Sequence, residues 1–585
     1  MTQKGMFGHR LCGLGLVGLL AAAAYATPAA PVTVGSPDVA VANPGVPTPP
    51  GQACVVELFN DISFDDFGTR PYSYTPPSGC GTHWKKVVLQ ADFSVTAGRQ
   101  YDRTATLWLG GVNLYYGTTQ EPSATVSPHW RVERDLTDYS ALLRQSGQGR
   151  AIIGNLVNGT YTGVIHGSAR LLFYPGGGAV DAPDAVVPLG ADPVGNTTVL
   201  NSANDQLAKT LTLPRNVVRA YLDVFTQAQG GDEFWYTCVP DVYAAQTYEC
   251  GGGNFREAEI SIDGQAAGVA PVMPWIYTGG IDPYLWRPTP GVQTLNFMPY
   301  RVDLTPFAGL LSDGAPHQVA VTVAGAHGYF AATATLLIYR DPQATQVTGR
   351  LVRNTLAGQA PVPTIGSTLA TDADGNLSGD ITTRLSRQFV IEGYADTSRG
   401  RVRSTVTQTV SFDDTQGFLI DAATYDQHTT QLTRVDSESQ QQRGPLTETY
   451  TQHVRYPLEL DYRQQVADDG SFSVATTLRQ GQQLRTERGL TGTRLYATTL
   501  SNDVAAADTL QFDADGALTG HTGQQTTQHY RFDDTLGSCY QASVTSAGGL
   551  LDAYTQGLGC PGKHNHLSWF SRPDGAPDSR EHAPF

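Results

Sequence analysis

Beyond its first 26 residues the sequence has no uninterrupted apolar run of about 18 residues, the length a helix needs to cross a bilayer, so no membrane anchor is expected in the mature chain. Basic residues are scarce: 38 Lys and Arg stand against 54 Asp and Glu, a net charge of −16, which argues against a nucleic-acid phosphate backbone as partner. There is no Gly-x-Ser-x-Gly elbow, no phosphate-binding loop and no His-Glu-x-x-His. Serine-nucleophile, nucleotide and zincin chemistry therefore lack their usual signals. Tight Cys-x-x-Cys spacing is also missing, which argues against a zinc site, and neither a metal nor a cofactor is expected. Two segments invite comparison with calcium loops, Asp372-Ala373-Asp374-Gly375-Asn376 and Asp513-Ala514-Asp515-Gly516. Neither has a closing carboxylate, and both are read as hairpin turns.

What is present at the start of the chain is Lys4, Arg10, an apolar stretch from Leu11 through Ala24, and the small-residue word Ala24-Tyr25-Ala26. Residues 1–26 read as a signal peptide, so the protein is expected to be exported, to a periplasm or beyond. Setting Cys12 aside leaves Cys54, Cys80, Cys238, Cys250, Cys539 and Cys560. An even count in an exported chain implies disulfides. Their clustering suggests Cys54 with Cys80, Cys238 with Cys250 and Cys539 with Cys560, although spacing alone leaves the connectivity open.

Residues 27–50 are rich in Pro and Ala with no aromatic residue, and read as a flexible, partly polyproline linker. From residue 51 onward short alternating runs broken by Gly and Pro predict strands, for example Lys86 to Phe93, Thr104 to Leu109 and Ala332 to Tyr339. Helical periodicity shows only around Leu136 to Leu143. At 585 residues, and with roughly 150 residues per domain as a guide, the chain divides into three or four units. The expected architecture is all-β: adjacent jelly-roll sandwiches over 51–180 and 186–342, then a β-rich domain over 345–585 with Thr and Gln filling alternate positions. A monomer is expected.

Several acidic residues stand beside aromatics or Arg: Asp102, Glu121, Asp135, Glu233, Glu249 and Glu257. Taken singly, each reads as a surface ion pair or turn cap rather than as a catalytic acid. Trp235, Tyr236, Trp275, Tyr277, Tyr284 and Trp286 fall in Gly/Pro-rich loops, where aromatic faces suit a carbohydrate cleft or else plug the domain ends.

In order along the chain come Tyr74-Thr75-Pro76-Pro77, His83-Trp84-Lys85-Lys86-Val87-Val88-Leu89, Gln100-Tyr101-Asp102-Arg103, Leu107-Trp108-Leu109-Gly110-Gly111, Thr118-Thr119-Gln120-Glu121-Pro122, Asp135-Leu136-Thr137-Asp138-Tyr139 and Tyr161-Thr162-Gly163-Val164. They continue with Gly253-Asn254-Phe255-Arg256-Glu257, Tyr277-Thr278-Gly279-Gly280-Ile281, Leu285-Trp286 and Asp303-Leu304-Thr305-Pro306-Phe307. Over about 54–342 these words resemble the peptide N-glycosidase A family and, more distantly, the peptide N-glycosidase F group.

The resemblance implies two adjacent jelly rolls with the site between them. The implied reaction is hydrolysis of the amide between asparagine and N-acetylglucosamine in an N-glycopeptide or glycoprotein. It implies Asp102 as the principal catalytic acid, with Glu249 or Glu257 as candidates for a second carboxylate. Arg103, Glu121, Asn158, Trp235, Asn254, Arg256, Trp275 and Trp286 are the expected substrate-binding residues. A non-catalytic glycan-binding protein and a glycoside hydrolase are the competing readings of the same aromatic cleft.

Overall fold

The computed structural model describes residues 33–176 and 182–577. The expected signal peptide and residues 27–32 lie outside the described residues. Within them the regular secondary structure is almost wholly strand, in five sheets.

The first sandwich faces two four-stranded sheets. One runs in the order Cys54–Phe64, Ile165–Pro175, Trp84–Val95, His129–Asp135; the other runs Arg70–Tyr74, Gly147–Ile153, Thr104–Leu109, Val112–Thr118. Inward residues such as Phe64, Leu89, Phe93, Leu107, Tyr115, Ile153, Leu171 and Phe173 fill the layer between them and are buried. The brief helical periodicity becomes a 3-10 turn over Thr137–Tyr139 and one helical turn over Ser140–Leu143.

The second sandwich repeats the plan. Strands Thr198–Leu200, Tyr329–Arg340, Val217–Gln229 and Tyr300–Asp303, with Ala185–Pro188 beside them, face Leu207–Thr212, Pro316–Ala324, Glu257–Ile262 and Gln265–Pro271. Polar groups lock the seam between the sandwiches. Tyr115 donates to the Leu295 carbonyl and Tyr116 to Gln227, each at 2.6 Å. Arg301 bridges Asp223 at 2.7 Å and Asp138 of the first sandwich at 2.9 Å.

From Thr348 to Gln556 the chain folds back and forth as one twelve-stranded antiparallel sheet, its longest strands 21 residues. Asp-Gly turns make several reversals. The glycines at 375, 470 and 516 adopt φ of 90, 83 and 79°, a region open to glycine. Asp372 and Asp513 use their carboxylates to accept backbone amides within these turns. Alternation along each strand gives one face of Phe389, Ile391, Val410, Phe412, Val435, Val454, Leu460, Leu478 and Val504, which joins the core of the second sandwich. The same face carries buried Gln and Thr: Gln416, Gln431, Gln480, Gln528 and Thr526. The covering sheet is thus half apolar core and half polar template.

The expectation of a flexible linker is corrected from residue 33 onward. Gly35 donates to the Leu551 carbonyl at 2.7 Å and Leu551 returns a bond to Ser36 at 3.0 Å. Ala42 donates to Gln528 at 2.6 Å and Val46 to Glu133 at 2.8 Å. Ala40 and Ala42 are buried. A segment with no amphipathic period still packs here, because its small residues and backbone groups meet partners supplied by distant sheets.

The cysteine pairs join as the clustering suggested, with Cα separations of 6.3 Å for Cys54–Cys80, 4.6 Å for Cys238–Cys250 and 5.7 Å for Cys539–Cys560. Among the described residues no helix is long and apolar enough to cross a membrane.

Candidate active site

Antiparallel pairing of Thr104–Leu109 with Val112–Thr118 brings Thr104 opposite Thr118 at one end of the first sandwich. The ladder continues one step further. Thr119 donates to the Arg103 carbonyl at 2.8 Å, and Arg103 donates back to the Thr119 hydroxyl at 2.9 Å. Asp102 and Glu121 therefore emerge side by side, with the Asp102 amide 3.4 Å from Glu121 Oε2.

The loop from Trp275 to Val292 of the second sandwich closes over this pair. Thr278 donates to the Thr119 carbonyl at 2.7 Å, and Gln120 donates to the Trp286 carbonyl at 2.6 Å. The Gly279 amide thereby reaches Asp102 Oδ2 at 3.1 Å. A Cβ on Gly279 would lie 2.5 Å from Glu121 Oε2 and 2.8 Å from Asp102 Oδ1, so only glycine fits between the two carboxylates without displacing them. Arg287 donates to the Glu121 carbonyl at 2.9 Å and holds its guanidinium 3.5 Å from the Glu121 carboxylate. Asp282 caps the short turn Pro283–Trp286 by accepting the Tyr284 amide at 2.9 Å.

A third carboxylate, Glu233, follows the 3-10 turn Gly230–Asp232 at the end of Val217–Gln229 and feels the charge of Asp102. Burial is the leading cause that raises all three acids above their usual range. Glu121 is pushed up to about 7 by burial and then by Asp102, against the opposing pull of Arg287. Glu233 also reaches about 7, by burial and then Asp102. Asp102 is raised by burial, restrained by the Gly279 amide and Arg103. Like charges in one place cannot all ionise cheaply, so an ionised Asp102 makes its two neighbours harder to ionise. At the rim, Tyr101 and Tyr161 lie 5.2 Å apart, and exposed Arg99 sits over both rings at 5.5 and 5.4 Å.

Of the residues expected from sequence, Asp102, Arg103 and Glu121 come together here. The side chains of the others are engaged elsewhere. Glu257 is ion-paired with Arg387 of the large sheet, both side chains buried. Glu249 accepts the Tyr425 hydroxyl at 2.6 Å. Glu233, which sequence reasoning set among several unremarkable acids, is the further acid whose titration Asp102 raises. Asn158 forms an exposed turn with the Thr160 and Tyr161 amides. Asn254 donates to Asp414, and Arg256 pairs with Asp232 at 2.7 Å.

Trp235, Trp275 and Trp286 are 1, 7 and 0% exposed, so their faces are spent on packing and not on a ligand. Trp275 stacks on Phe297 at 4.2 Å, and Trp286 donates to the Gly280 carbonyl at 3.0 Å. The aromatic rim instead comes from Tyr101 and Tyr161, whose signal lay in the words Gln-Tyr-Asp-Arg and Tyr-Thr-Gly-Val. A roomy cavity of about 610 Å³ lies apart from these carboxylates, between the N-terminal segment, Trp130, Leu295 and Tyr540.

Fold and site together define a two-sandwich β protein with a carboxylate cluster at the seam between its sandwiches. The family model for peptide N-acetyl-beta-D-glucosaminyl asparaginase amidase A matches residues 47–357, more than half of the chain. The chain belongs to that family.

It is 30% identical over 368 residues to peptide-N4-(N-acetyl-beta-glucosaminyl)asparagine amidase A of Prunus dulcis, a match spanning 59% of this chain and 63% of that protein. Among solved structures it is similar to peptide N-glycosidase F of Flavobacterium meningosepticum, with a TM-score of 0.35 and 15% identity over 50% of this chain and 96% of that one. PNGF-II is similar at a TM-score of 0.34 and 14% identity, over 50% of this chain and 66% of that one.

Proposed function

We propose that this protein hydrolyses the amide bond joining asparagine to N-acetylglucosamine in N-glycopeptides or glycoproteins, releasing the intact glycan and leaving aspartate in the peptide. The observation that carries the reading is the cluster of Asp102, Glu121 and Glu233, three carboxyls raised together where loops of both sandwiches meet. Amide hydrolysis needs a base for the attacking water and an acid for the departing nitrogen, and such a cluster holds both forms at one pH.

Ionised Asp102 takes a proton from water as its oxygen adds to the asparagine carbonyl carbon. Glu233, protonated, gives its proton to the glycosylamine nitrogen as the carbon–nitrogen bond breaks. The glycosylamine then loses ammonia to water. Arg287 and the Gly279 amide hold Glu121 and Asp102 in place, so the geometry needs no rearrangement during the step. Tyr101 and Tyr161 offer ring faces to the sugar, with Arg99 beside them.

Three disulfides and the basic-then-apolar N-terminal sequence support action on finished glycoproteins outside the cytoplasm.

The test is mass spectrometry of an N-glycopeptide after incubation with the protein. Free intact glycan and conversion of Asn to Asp are expected. Glycan bound without conversion, or one N-acetylglucosamine left on the peptide, would overturn the proposal.

A further inference from the structure

The loop that completes the site is not held by its own sandwich alone. Ile281, two residues after Gly279, has φ of 65°, a conformation that a β-branched residue keeps only when its surroundings impose it. Buried backbone groups along the loop find their partners on the large C-terminal sheet. Gln480 donates to the Pro274 carbonyl at 2.6 Å and accepts the Val292 amide at 2.9 Å, so one side chain clamps both ends of the loop. Thr526 donates to the Leu285 carbonyl, and Gln524 donates to the Arg287 carbonyl at 3.1 Å. Tyr284 stacks on His521 at 3.8 Å, and Asp282 meets Asp508.

These partners come from three neighbouring strands, Phe472–Leu490, Thr493–Phe512 and Leu518–Asp534. They reach the loop on either side of the two groups that touch the carboxylates, the Gly279 amide and the Arg287 guanidinium. A β-sheet face of Gln and Thr has no need of this pattern to bury a core. It matches the donors and acceptors of one particular loop.

We propose that the C-terminal sheet is the positioning element of the site: Thr526, Gln524 and Gln480 hold the Trp275–Val292 loop so that Gly279 meets Asp102 and Arg287 meets Glu121. The inference rests on the amidase reading for its kinetic consequence, yet its physical content concerns only the geometry around Glu121. Each of the three acts through the loop, and none touches the carboxylates. Removing one leaves a buried carbonyl or amide without a partner, so the loop relaxes and Arg287 drifts from Glu121. With Asp102 still facing it and Arg287 further away, Glu121 then holds its proton to higher pH.

The experiment compares Thr526→Val, which keeps shape and removes the hydroxyl, with Thr526→Ser, which keeps it; Gln480→Leu is the second probe. In the full-length protein Thr526→Val is expected to lower kcat on a glycopeptide by about 10- to 100-fold with KM little changed. Thr526→Ser should restore most of the loss. Carboxyl NMR of Glu121, assigned by difference from Glu121→Gln, reads the same geometry without substrate, and its titration midpoint should rise in Thr526→Val and Gln480→Leu.

If folded Thr526→Val and Gln480→Leu both leave kcat and the Glu121 midpoint as in the unsubstituted protein, the sheet does not position the loop. A kcat loss that only tracks a lowered Tm, with an unmoved midpoint, overturns it too. Should the unsubstituted protein release no glycan, the amidase reading falls while the Glu121 midpoint still decides this one.

Discussion

The amide of Gly279 donates to the carboxylate of Asp102 at 3.1 Å, joining a loop of the second sandwich to the strand end of the first. The bond restrains the rise in pKa that burial imposes on Asp102. It also leaves no room for a side chain. Gly279→Ala would push a methyl group against Glu121 Oε2 and Asp102 Oδ1. Those atoms are the far ends of side chains, so the fold yields at little cost while the catalytic geometry does not. The expected result is a loss of about 100-fold in kcat/KM with a Tm within a few degrees of the unsubstituted protein. Near-normal turnover by Gly279→Ala would remove the Gly279–Asp102 contact from the mechanism.

The cluster sets the pH dependence. Glu121 and Glu233 each titrate near 7, while Asp102 is raised from the ordinary aspartate range. Activity needs one ionised and one protonated member. It should therefore rise as Asp102 ionises and fall as the raised glutamates lose their protons around pH 7, giving a bell centred on the acidic side. The limbs belong to the coupled cluster, so removing one charge moves the others. Glu121 is still protonated while Asp102 ionises and carries no charge there, so Glu121→Gln should leave the rising limb where it is. Glu233→Gln should lower kcat by about 100-fold or more, and Asp102→Asn should do at least the same. A pH profile of kcat/KM for the unsubstituted protein and Glu121→Gln checks the assignment, and a displaced rising limb would count against it.

How much of this was legible beforehand follows from distance along the chain. Asp102 and Glu121 could be found because they sit in local words on consecutive strands, and antiparallel pairing had only to continue one residue past Thr104 and Thr118. Glu233 was visible as an acid beside Phe234, Trp235 and Tyr236, but its nearness to Asp102 depends on how two sandwiches dock, which no local pattern encodes. The tryptophans misled for a related reason. Trp275 and Trp286 lie in Gly/Pro-rich loops that normally stay open, yet here a sheet formed far downstream covers them. The segment from residue 33 to 50 was misread in the same way, since its partners include Leu551 and Gln528.

Glu257 gives a further case, and a prediction. Its buried carboxylate meets Arg387, on the strand Leu377–Thr397 of the large sheet. Taking away one partner strands the other charge in a dry interface. Arg387→Met should cost about 3–5 kcal/mol of stability, while Arg387→Met combined with Glu257→Gln should recover a good part of it. Urea unfolding of the two variants measures the difference. Equal losses in both would mean that packing, not the stranded carboxylate, sets the cost.

The tail of the described chain makes a further, pH-sensitive link. Arg572 returns to the first sandwich, where its Nε lies 3.0 Å from Asp135, while Lys86 lies 2.6 Å from the same carboxylate. Arg572 also approaches Asp138 at 3.4 Å, and Asp138 is held by Arg301 at 2.9 Å. Burial alone would raise Asp135, but Arg572 and Lys86 outweigh it and hold the carboxyl well below the usual aspartate range. A depressed folded-state value means that the contribution to stability is fully present above the ordinary aspartate range near 4 and is lost as the pH falls toward the folded value. Arg572→Ala removes one of the two cations and raises the folded value, so the cluster begins to fail at higher pH. The expected outcome is a loss of about 3 kcal/mol at neutral pH, and an acid-unfolding midpoint moved upward. Acid titration followed by tryptophan fluorescence tests both proteins side by side. If Arg572→Ala unfolds at the same pH as the unsubstituted chain, the tail is not what holds Asp135 ionised.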